Sequence, residues 1–468
     1  MNSLRNKIVY LSILFISLIS TSFFLSGFQT GNLNFFVNNE LLFNMNNTYD
    51  KAEQYYETLS IFANIKKWSF NLTIRANNYY KRDPNTTLTD HNFDVYRTTV
   101  RYNSKKMKLT IGDLYSVLGH GLVLSVQKNN EIFLERTILG ADMKYLFKNI
   151  DFRILGGEIT DDANNQKWRV AGSELELKLS KNNRLGARFS YISDVDTLRN
   201  LGDRVTYSFS IKSNKLLKHL SYYAEFAMLD FTANSEKQGK AFYSNLTYNK
   251  AHTTILIEYK NYSDFDNEMN NPPVADRQDE TASINDTEGL RVLIQYTIFD
   301  PEISFFFNMG RYKEYEDMGL HIYGGVNAID LWDKISFGVS YGIRDIIYPI
   351  KKSDADLTWQ LTDYMSITLS AKDKRYSDNN FKFNEQDYSV QMAHSKGLSI
   401  FFNYQYSHNK IIGMNNFFSG GAVLNLKNDM EIRLSGGSMR GGQICSGGQC
   451  YVLPPFKGIK FSLLKTFR

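Results

Sequence analysis

Residues 70–77 read Phe70-Asn71-Leu72-Thr73-Ile74-Arg75-Ala76-Asn77, and residues 365–372 read Met365-Ser366-Ile367-Thr368-Leu369-Ser370-Ala371-Lys372. Both stretches alternate strictly between apolar and polar side chains. Because successive side chains of a β-strand point to opposite faces of a sheet, this period of two predicts strands with one apolar and one polar face. The same unit repeats from Phe70 to Phe467, in runs of about ten residues separated by short polar turns.

The N-terminus indicates where the apolar face lies. Arg5 and Lys7 precede an uncharged run from Ile8 to Leu25, and Ser26-Gly27 follows. This order is typical of a signal peptide, so we expect residues 1–27 to be a signal peptide and residues 28–468 to form one exported domain. An uncleaved anchor stays open, since a spanning helix needs about 18 residues. Later segments are too short for such a helix, so any further membrane insertion must use strands.

Aromatic content and turn lengths favour a barrel with lipid outside. Phe and Tyr number 33 and 30 and gather near run ends, as at Tyr222-Tyr223, like the aromatic girdles of outer-membrane barrels. Tight polar turns such as Lys66-Lys67 alternate with longer connections such as Ser263–Glu288. This pattern predicts a single all-β, antiparallel transmembrane barrel of about 24 strands, with a range of about 18 to 26, short periplasmic turns and longer outer loops.

The alternation breaks once, between Gly112 and Gly140. Two interpretations stay open: a segment that leaves the wall and folds against it inside the lumen, or an irregular strand with a bulge, which glycine commonly marks. Together with the acid-rich loop Asp264–Asp286, this segment is a candidate for narrowing the lumen. The candidate constriction or bulge residues are Gly112, Asp113, Tyr115, Gly119, His120 and Gly121.

A resemblance rests on Gly112-Asp113-Leu114-Tyr115, Gly119-His120-Gly121-Leu122, Arg440-Gly441-Gly442, the Cys445…Cys450 pair and residues 454–458. With its Phe-rich terminal strand, the chain resembles an uncharacterised family of bacterial porin-like outer-membrane β-barrel proteins. The resemblance implies a barrel in the outer membrane of a Gram-negative bacterium, and it implies no substrate. The penultimate Phe467 resembles the terminal aromatic residue that the barrel-assembly machinery recognises.

The chain has two cysteines, Cys445 and Cys450, on either side of a Gly-Gly turn. In an exported protein, such a close pair predicts a disulfide that pins the loop before the last strand. A soft-metal or haem contact with a partner and a redox switch stay open. Covalent haem in this chain is excluded, because no CxxCH motif occurs.

No local motif predicts catalysis. The seven histidines are scattered, without the HExxH spacing of metal sites, and no G-x-S-x-G nucleophile elbow occurs. We therefore expect neither an enzyme nor a cofactor, although a hydrolase site assembled across strands would leave no such motif. The net charge of +5 decides little, and no nucleic-acid partner is expected.

The polar phase of the early strands is basic. If that phase faces the lumen, one arc of the wall carries six cations against Asp142, and charged patches in a pore bias which ions enter. The alternative is that these charges pair with neighbouring strands. We call this set the basic arc: Arg75, Arg97, Arg101, Lys108, Lys144 and Arg153.

Two functions follow from a wide barrel surrounded by outer-membrane lipid. The first is a porin-like channel for passive passage of small solutes or ions. The second is a sheath whose lumen holds a protein partner, such as a multihaem cytochrome that conducts electrons; only the width of a lumen enclosed by about 24 strands motivates it. The sequence shows no N-terminal plug domain, which argues against a TonB-dependent transporter.

Overall fold

The computed structural model describes most of the chain. The predicted signal peptide, residues 1–27, lies outside the described residues. In the part that is described, no helix is long and apolar enough to cross a membrane. The described residues are 33–46, 52–80, 92–129, 134–161, 166–195, 202–232, 238–266, 269–271, 273, 287–299, 302–314, 317–345, 349–377, 382–408, 416–427, 429–446, 449–453 and 456–467.

These residues form strands joined by turns. The strands are β1 (Leu33–Asn46), β2 (Ala52–Ile65), β3 (Trp68–Tyr80), β4 (Asn92–Asn103), β5 (Met107–Leu114), β6 (Ser116–Leu118), β7 (Leu124–Val126), β8 (Lys128–Asn129), β9 (Leu134–Glu135), β10 (Ile138–Leu146), β11 (Ile150–Asp161), β12 (Gln166–Lys178), β13 (Asn183–Asp194), β14 (Arg204–Leu217), β15 (Leu220–Phe231), β16 (Gln238–Lys250), β17 (Thr253–Ser263), β18 (Thr287–Phe299), β19 (Glu302–Glu314), β20 (Asp317–Leu331), β21 (Ile335–Asp345), β22 (Ile350–Thr362), β23 (Met365–Ser377), β24 (Lys382–His394), β25 (Leu398–Ser407), β26 (Asn416–Leu426), β27 (Met430–Met439), β28 (Gly442–Ser446), β29 (Gln449–Leu453) and β30 (Phe456–Phe467).

Twenty-four of these strands make one closed antiparallel sheet. Each wall strand pairs with the next along the chain, β5 pairs with β10, and β27 pairs with β30. The sheet closes where β1 pairs with β30, from Val37 opposite Phe467 to Asn46 opposite Gly458. The prediction of a closed antiparallel barrel of about 24 strands is confirmed. The remaining strands form three short hairpins, β6–β7, β8–β9 and β28–β29.

The two faces of the wall differ in the way that a membrane requires. In β14, the Phe209 side chain is 62% exposed, whereas its neighbour Ser208 is 1% exposed. The same inversion recurs around the wall, with large apolar side chains outside and polar side chains inside. A protein in water would bury the apolar phase, so the outer face is built for hydrocarbon and the polar phase lines the lumen.

The eleven predicted tight turns lie at one end of the barrel. Each joins two wall strands with two to four residues, from 66–67 between β2 and β3 to 427–429 between β26 and β27. Several of these turns use a left-handed backbone, as at Lys66 (φ 54°) and Asp429 (φ 54°). The longest connections, including 115–137, 264–286 and 440–455, lie at the opposite end. The predicted division into short turns and longer loops is therefore confirmed.

The orientation can be checked by labelling single cysteines on intact cells in a background without Cys445 and Cys450. We expect Lys313→Cys, at the long-loop end of β19, to react with a large membrane-impermeant maleimide. Lys181→Cys, in the exposed turn between β12 and β13, should react only after the outer membrane is permeabilised. Labelling of Lys181→Cys alone on intact cells would reverse the orientation.

Candidate functional site in the barrel lumen

A hairpin occupies part of the lumen. The wall strand β5 ends at Leu114, and β6 and β7 then pair with each other. Arg153 donates to the Val117 carbonyl (3.0 Å) and Ser190 to the Val123 carbonyl (3.0 Å). Since Arg153 and Ser190 belong to the polar phase of the wall, the hairpin lies on the lumen side. We call residues 116–126 the inward hairpin.

A dry apolar core lies between the inward hairpin and the wall. The hairpin contributes side chains with no exposed surface, such as Leu118 and Leu124. The wall contributes apolar residues at lumen-facing positions of β11, β12 and β13, and here the expectation of a polar lumen is wrong. The cluster comprises Leu114, Leu118, Val123, Leu124, Val126, Ile138, Leu155, Ile159, Trp168, Val170, Ile192 and Met269. The signal was present in the sequence, because Leu155, Ile159 and Val170 interrupt the polar phase.

The start of the acid-rich loop meets the inward hairpin. Only residues 264–266, 269–271 and 273 of the predicted Asp264–Asp286 loop lie among the described residues. The Ser125 N–H donates to the Met269 carbonyl (2.6 Å), and the Asn271 N–H donates to the Gly121 carbonyl (2.9 Å). Phe265 is buried in a second cluster with Leu122 and side chains of β15, β16 and β17. The two candidate narrowing segments therefore form one unit.

Two glycines shape the tip of the inward hairpin. Gly119 and Gly121 have φ values of 64° and 86°, a region that residues with a Cβ rarely adopt. A Cβ at Gly119 would lie 2.5 Å from Glu225 Oε1, and one at Gly121 would collide with the Asn271 carbonyl. At the base, Gly112 also has a positive φ, 99°, where β5 pairs with Thr99 of β4. The segment from Gly112 to Gly140 thus contains both a distorted strand at Gly112 and a hairpin that folds into the lumen.

The tip touches a buried carboxylate. The His120 N–H donates to Glu225 Oε2 (3.3 Å), and the His120 ring lies 4.0 Å from the Tyr223 ring. Burial lowers the pKa of His120, and the nearby Glu225 carboxylate opposes that shift. At the base of the inward hairpin, Asp113 accepts from the Thr98 N–H (2.8 Å), and the Arg97 guanidinium lies over the Tyr115 ring (5.1 Å).

Glu225 is the end of a hydrogen-bonded chain of charges. It accepts from Ser208 (2.6 Å) and from the Tyr223 hydroxyl, and it lies 3.5 Å from Arg188. Arg188 donates through Nε to Glu174 (2.7 Å). Buried charges are tolerated when they are paired and bonded in this way. This series of bonded side chains therefore contacts the tip of the inward hairpin through Glu225, and each of its charges has a partner.

The basic arc is brought together on adjacent strands. Its members lie on β3, β4, β5, β10 and β11, and Lys108, Lys144 and Arg153 stand side by side in register. Arg153 bonds Asp142 through Nε (2.9 and 3.1 Å). The Arg75 and Arg97 guanidinium groups lie 3.9 and 5.0 Å from the Tyr96 ring.

The rest of the basic arc has no such partner. Among the residues that the structure describes, Arg101, Lys108 and Lys144 make no ion pair or side-chain hydrogen bond. The sequence left two interpretations open: lumen charges that attract ions, and charges that pair with neighbouring strands. Each applies to a different part of the basic arc. Arg153 is neutralised by its neighbour, whereas the three unpaired cations leave a net positive strip on the lumen wall.

The last long connection is anchored inside the lumen. Arg440 contacts Glu385 (2.8 Å) and Asp387 (3.6 Å) on β24, and its N–H donates to the Gln405 side chain (2.9 Å). The chain then forms the β28–β29 hairpin, in which Cys445 stands opposite Cys450. The side chains of both cysteines lie outside the described residues, as does that of Phe467, which pairs with Val37 through its backbone. The disulfide and the assembly signal stay predictions.

Within the part of the chain that is described, no cluster of three or more His, Cys, Asp or Glu residues could hold a metal ion. The charged groups of the lumen are instead arranged in pairs and rows along the wall.

The lumen core generates a stability prediction. We expect Leu124→Ala to lower the free energy of unfolding by about 2–5 kcal/mol, because it leaves a cavity between the inward hairpin and the wall. Leu175→Ala, on the lipid face of β12, should cost less, because lipid fills the space. Urea unfolding of the refolded barrel in vesicles measures both. Equal losses would contradict a packed core in the lumen.

The β28–β29 register generates a second prediction. Directly opposed cysteines on antiparallel strands have neighbouring Cβ atoms, close enough for a disulfide after a small adjustment. We expect protein extracted under non-reducing conditions to show no free thiol on alkylation and intact-mass analysis, and two thiols after reduction. Two free thiols before reduction would overturn the disulfide.

The comparisons agree with this architecture. The model of a family of unknown function, DUF6029, matches residues 7–298 and 351–467. No curated protein sequence matches the chain. The chain is similar in structure to the copper transporter OprC, with a TM-score of 0.51 and 9% identity over 94% of this chain and 81% of that one.

Two further structures are similar. The siderophore receptor PirA from Pseudomonas aeruginosa has a TM-score of 0.51 and 10% identity, over 93% of this chain and 80% of that one. The translocation pore of the P pilus usher PapC has a TM-score of 0.49 and 11% identity, over 93% and 99%. At these identities the likeness concerns the fold. The chain has the fold of an outer-membrane β-barrel, and it belongs to the family of unknown function DUF6029.

Proposed function

We propose that this barrel is a porin-like channel for the passive passage of small solutes or ions. The observation that carries the proposal is the strip of unpaired cations at Arg101, Lys108 and Lys144 on the lumen wall. Charges without partners are costly away from water. Their presence in the lumen therefore supports a wet passage along this side of the barrel.

The filled side of the lumen supports the same proposal. Sixteen to eighteen strands already enclose an aqueous channel, so an unobstructed barrel of 24 strands would be a very wide hole. The inward hairpin and the segment around Met269 pack against lumen-facing residues of β10 to β13 and of β15 to β17. We propose that they narrow the channel and leave the passage beside the basic arc.

The arc also suggests a selectivity. Charged patches that line a pore raise the local concentration of the opposite charge. A channel lined by Lys108 and Lys144 should therefore favour anions over cations. OprC is named as a copper transporter and PirA as a siderophore receptor; both names are compatible with a transport role here and assign no solute. The proposal needs no cofactor and no catalytic step.

The test is single-channel recording of the refolded protein in a planar bilayer. We expect discrete conductance steps and, under a salt gradient, a reversal potential that indicates anion preference. Lys108→Gln with Lys144→Gln should weaken that preference. Lys66→Gln with Lys67→Gln, in the exposed turn between β2 and β3, should leave it unchanged because these residues lie outside the lumen.

Silence from a correctly folded barrel would reject the open channel. The second candidate, a sheath around a protein partner, is motivated by the same width of 24 strands. It expects a lumen partner, such as a multihaem cytochrome, to co-purify with the barrel from mildly solubilised outer membranes. Discrete conductance steps from the isolated barrel would instead count against the sheath.

A further inference from the structure

Two adjoining recesses lie on the lumen wall away from the inward hairpin. One of about 330 Å³ is lined by residues of β19 to β23, and one of about 400 Å³ by residues of β18 to β20. Phe306, Tyr323 and Asn327 line both recesses and so form their common wall. Both volumes lie at the lower end of the range for small-molecule sites.

Glycines on the facing strands let the two aromatic rings lie along the wall. Gly325 stands opposite Phe306, and a Cβ there would lie 2.7 Å from Phe306 Cζ. Gly342 stands opposite Tyr323, and a Cβ there would lie 3.1 Å from Tyr323 Cδ2. The ring centroids are 5.2 Å apart. Phe306 lies in the polar phase, between the lipid-facing Phe305 and Phe307, so it contributes an aromatic surface inside the lumen.

Planar polar groups surround these rings. Asn308 is 1% exposed and lines the larger recess; its Oδ1 accepts from Arg291 Nε (2.5 Å), while its Nδ2 has no partner in the described part of the chain. In the other recess, a Cβ at Gly338 would lie 2.6 Å from Asp356 Oδ1 and 2.9 Å from Asn327 Oδ1. The missing side chain at Gly338 therefore lets two acceptor groups converge.

The charges of the smaller recess are mixed. Lys352 and Asp354 are 3.5 Å apart, and Arg344, Lys372 and Asp356 also line the recess. Three cations stand against the two carboxylates, so most of the charge is offset and an ion of one sign gains little. They nevertheless supply closely spaced hydrogen-bond donors and acceptors, which a ligand with many hydroxyl groups can use.

From these features we infer that the two recesses bind a neutral oligosaccharide of at least two linked rings. Each recess takes one ring, the aromatic pair packs against the apolar face of the sugar, and Asn308, Asn327 and Asp356 bond its hydroxyl groups. The inference extends the proposed function by naming a class of solute. It rests on the proposed channel only for the route by which the sugar reaches the lumen.

The experiment is equilibrium binding by calorimetry to the barrel in detergent micelles, where no passage across a membrane is needed. The probes are glucose, maltose, cellobiose, N,N′-diacetylchitobiose and maltotriose, with glutamate and arginine as charged competitors. We expect saturable millimolar binding of at least one disaccharide or trisaccharide, tighter than glucose. Phe306→Ala should weaken it about tenfold, and Phe306→Tyr, which keeps the ring, should retain most of it.

The matched control is Phe307→Ala, one residue away on the lipid face, which should bind the sugar like the unmodified barrel. Heat-modifiable migration on gels confirms that each variant is folded. No binding of any sugar, tighter binding of glutamate or arginine, or equal losses from Phe306→Ala and Phe307→Ala would each overturn the inference. Binding in micelles with silence in the bilayer would keep the sugar site and reject the channel; conductance without binding would do the reverse.

Discussion

Closure of the backbone hydrogen-bond ladder is the constraint on which this structure depends. In hydrocarbon an unpaired N–H or C=O group has no water to bond, so strands can cross a bilayer only if no sheet edge is left open. Here β1 meets β30, and the terminal segments of the described chain pair along ten residues. Closure fixes an inside and an outside, and the alternation within each strand then assigns every side chain to lipid or to the lumen.

The hydrophobic effect requires water, and the outer face of this barrel contacts lipid. Apolar side chains can therefore gain free energy by burial only on the lumen side of the wall. The inward hairpin uses this: Leu118 and Leu124 belong to one buried apolar cluster with Trp168 and Ile192 of the wall, as in the core of a soluble protein. The charged chain from Glu174 through Arg188 to Glu225 supports the tip of the hairpin. One side of the lumen is therefore packed, whereas Arg101, Lys108 and Lys144 of the basic arc have no ion-pair partner among the described residues. This asymmetry underlies the proposed passage, whereas the proposed sugar site lies on a separate part of the wall, β18 to β23.

Much of the site could be located from the sequence but not assembled from it. The break between Gly112 and Gly140 was visible because glycines interrupt a regular period, and the basic arc was visible because its cations share one phase of consecutive strands. The contact between Ser125 and Met269 was not visible, since it joins segments far apart in the chain. The packing of Phe306 over Gly325 was not visible either. It depends on one large and one small residue that pair across two strands, and such a pair leaves no periodic pattern in the sequence.

The sequence by itself determined the class of fold, the approximate number of wall strands and the end at which the short turns lie. These properties are local: a period of two and a polar turn act within some ten residues, and closed antiparallel pairing follows from them. Only the tertiary structure decided which part of the lumen is filled, which cations are neutralised and where rings meet glycines. These depend on register and on contacts across the lumen, where a shift of one residue would move every side chain to the other face of its strand.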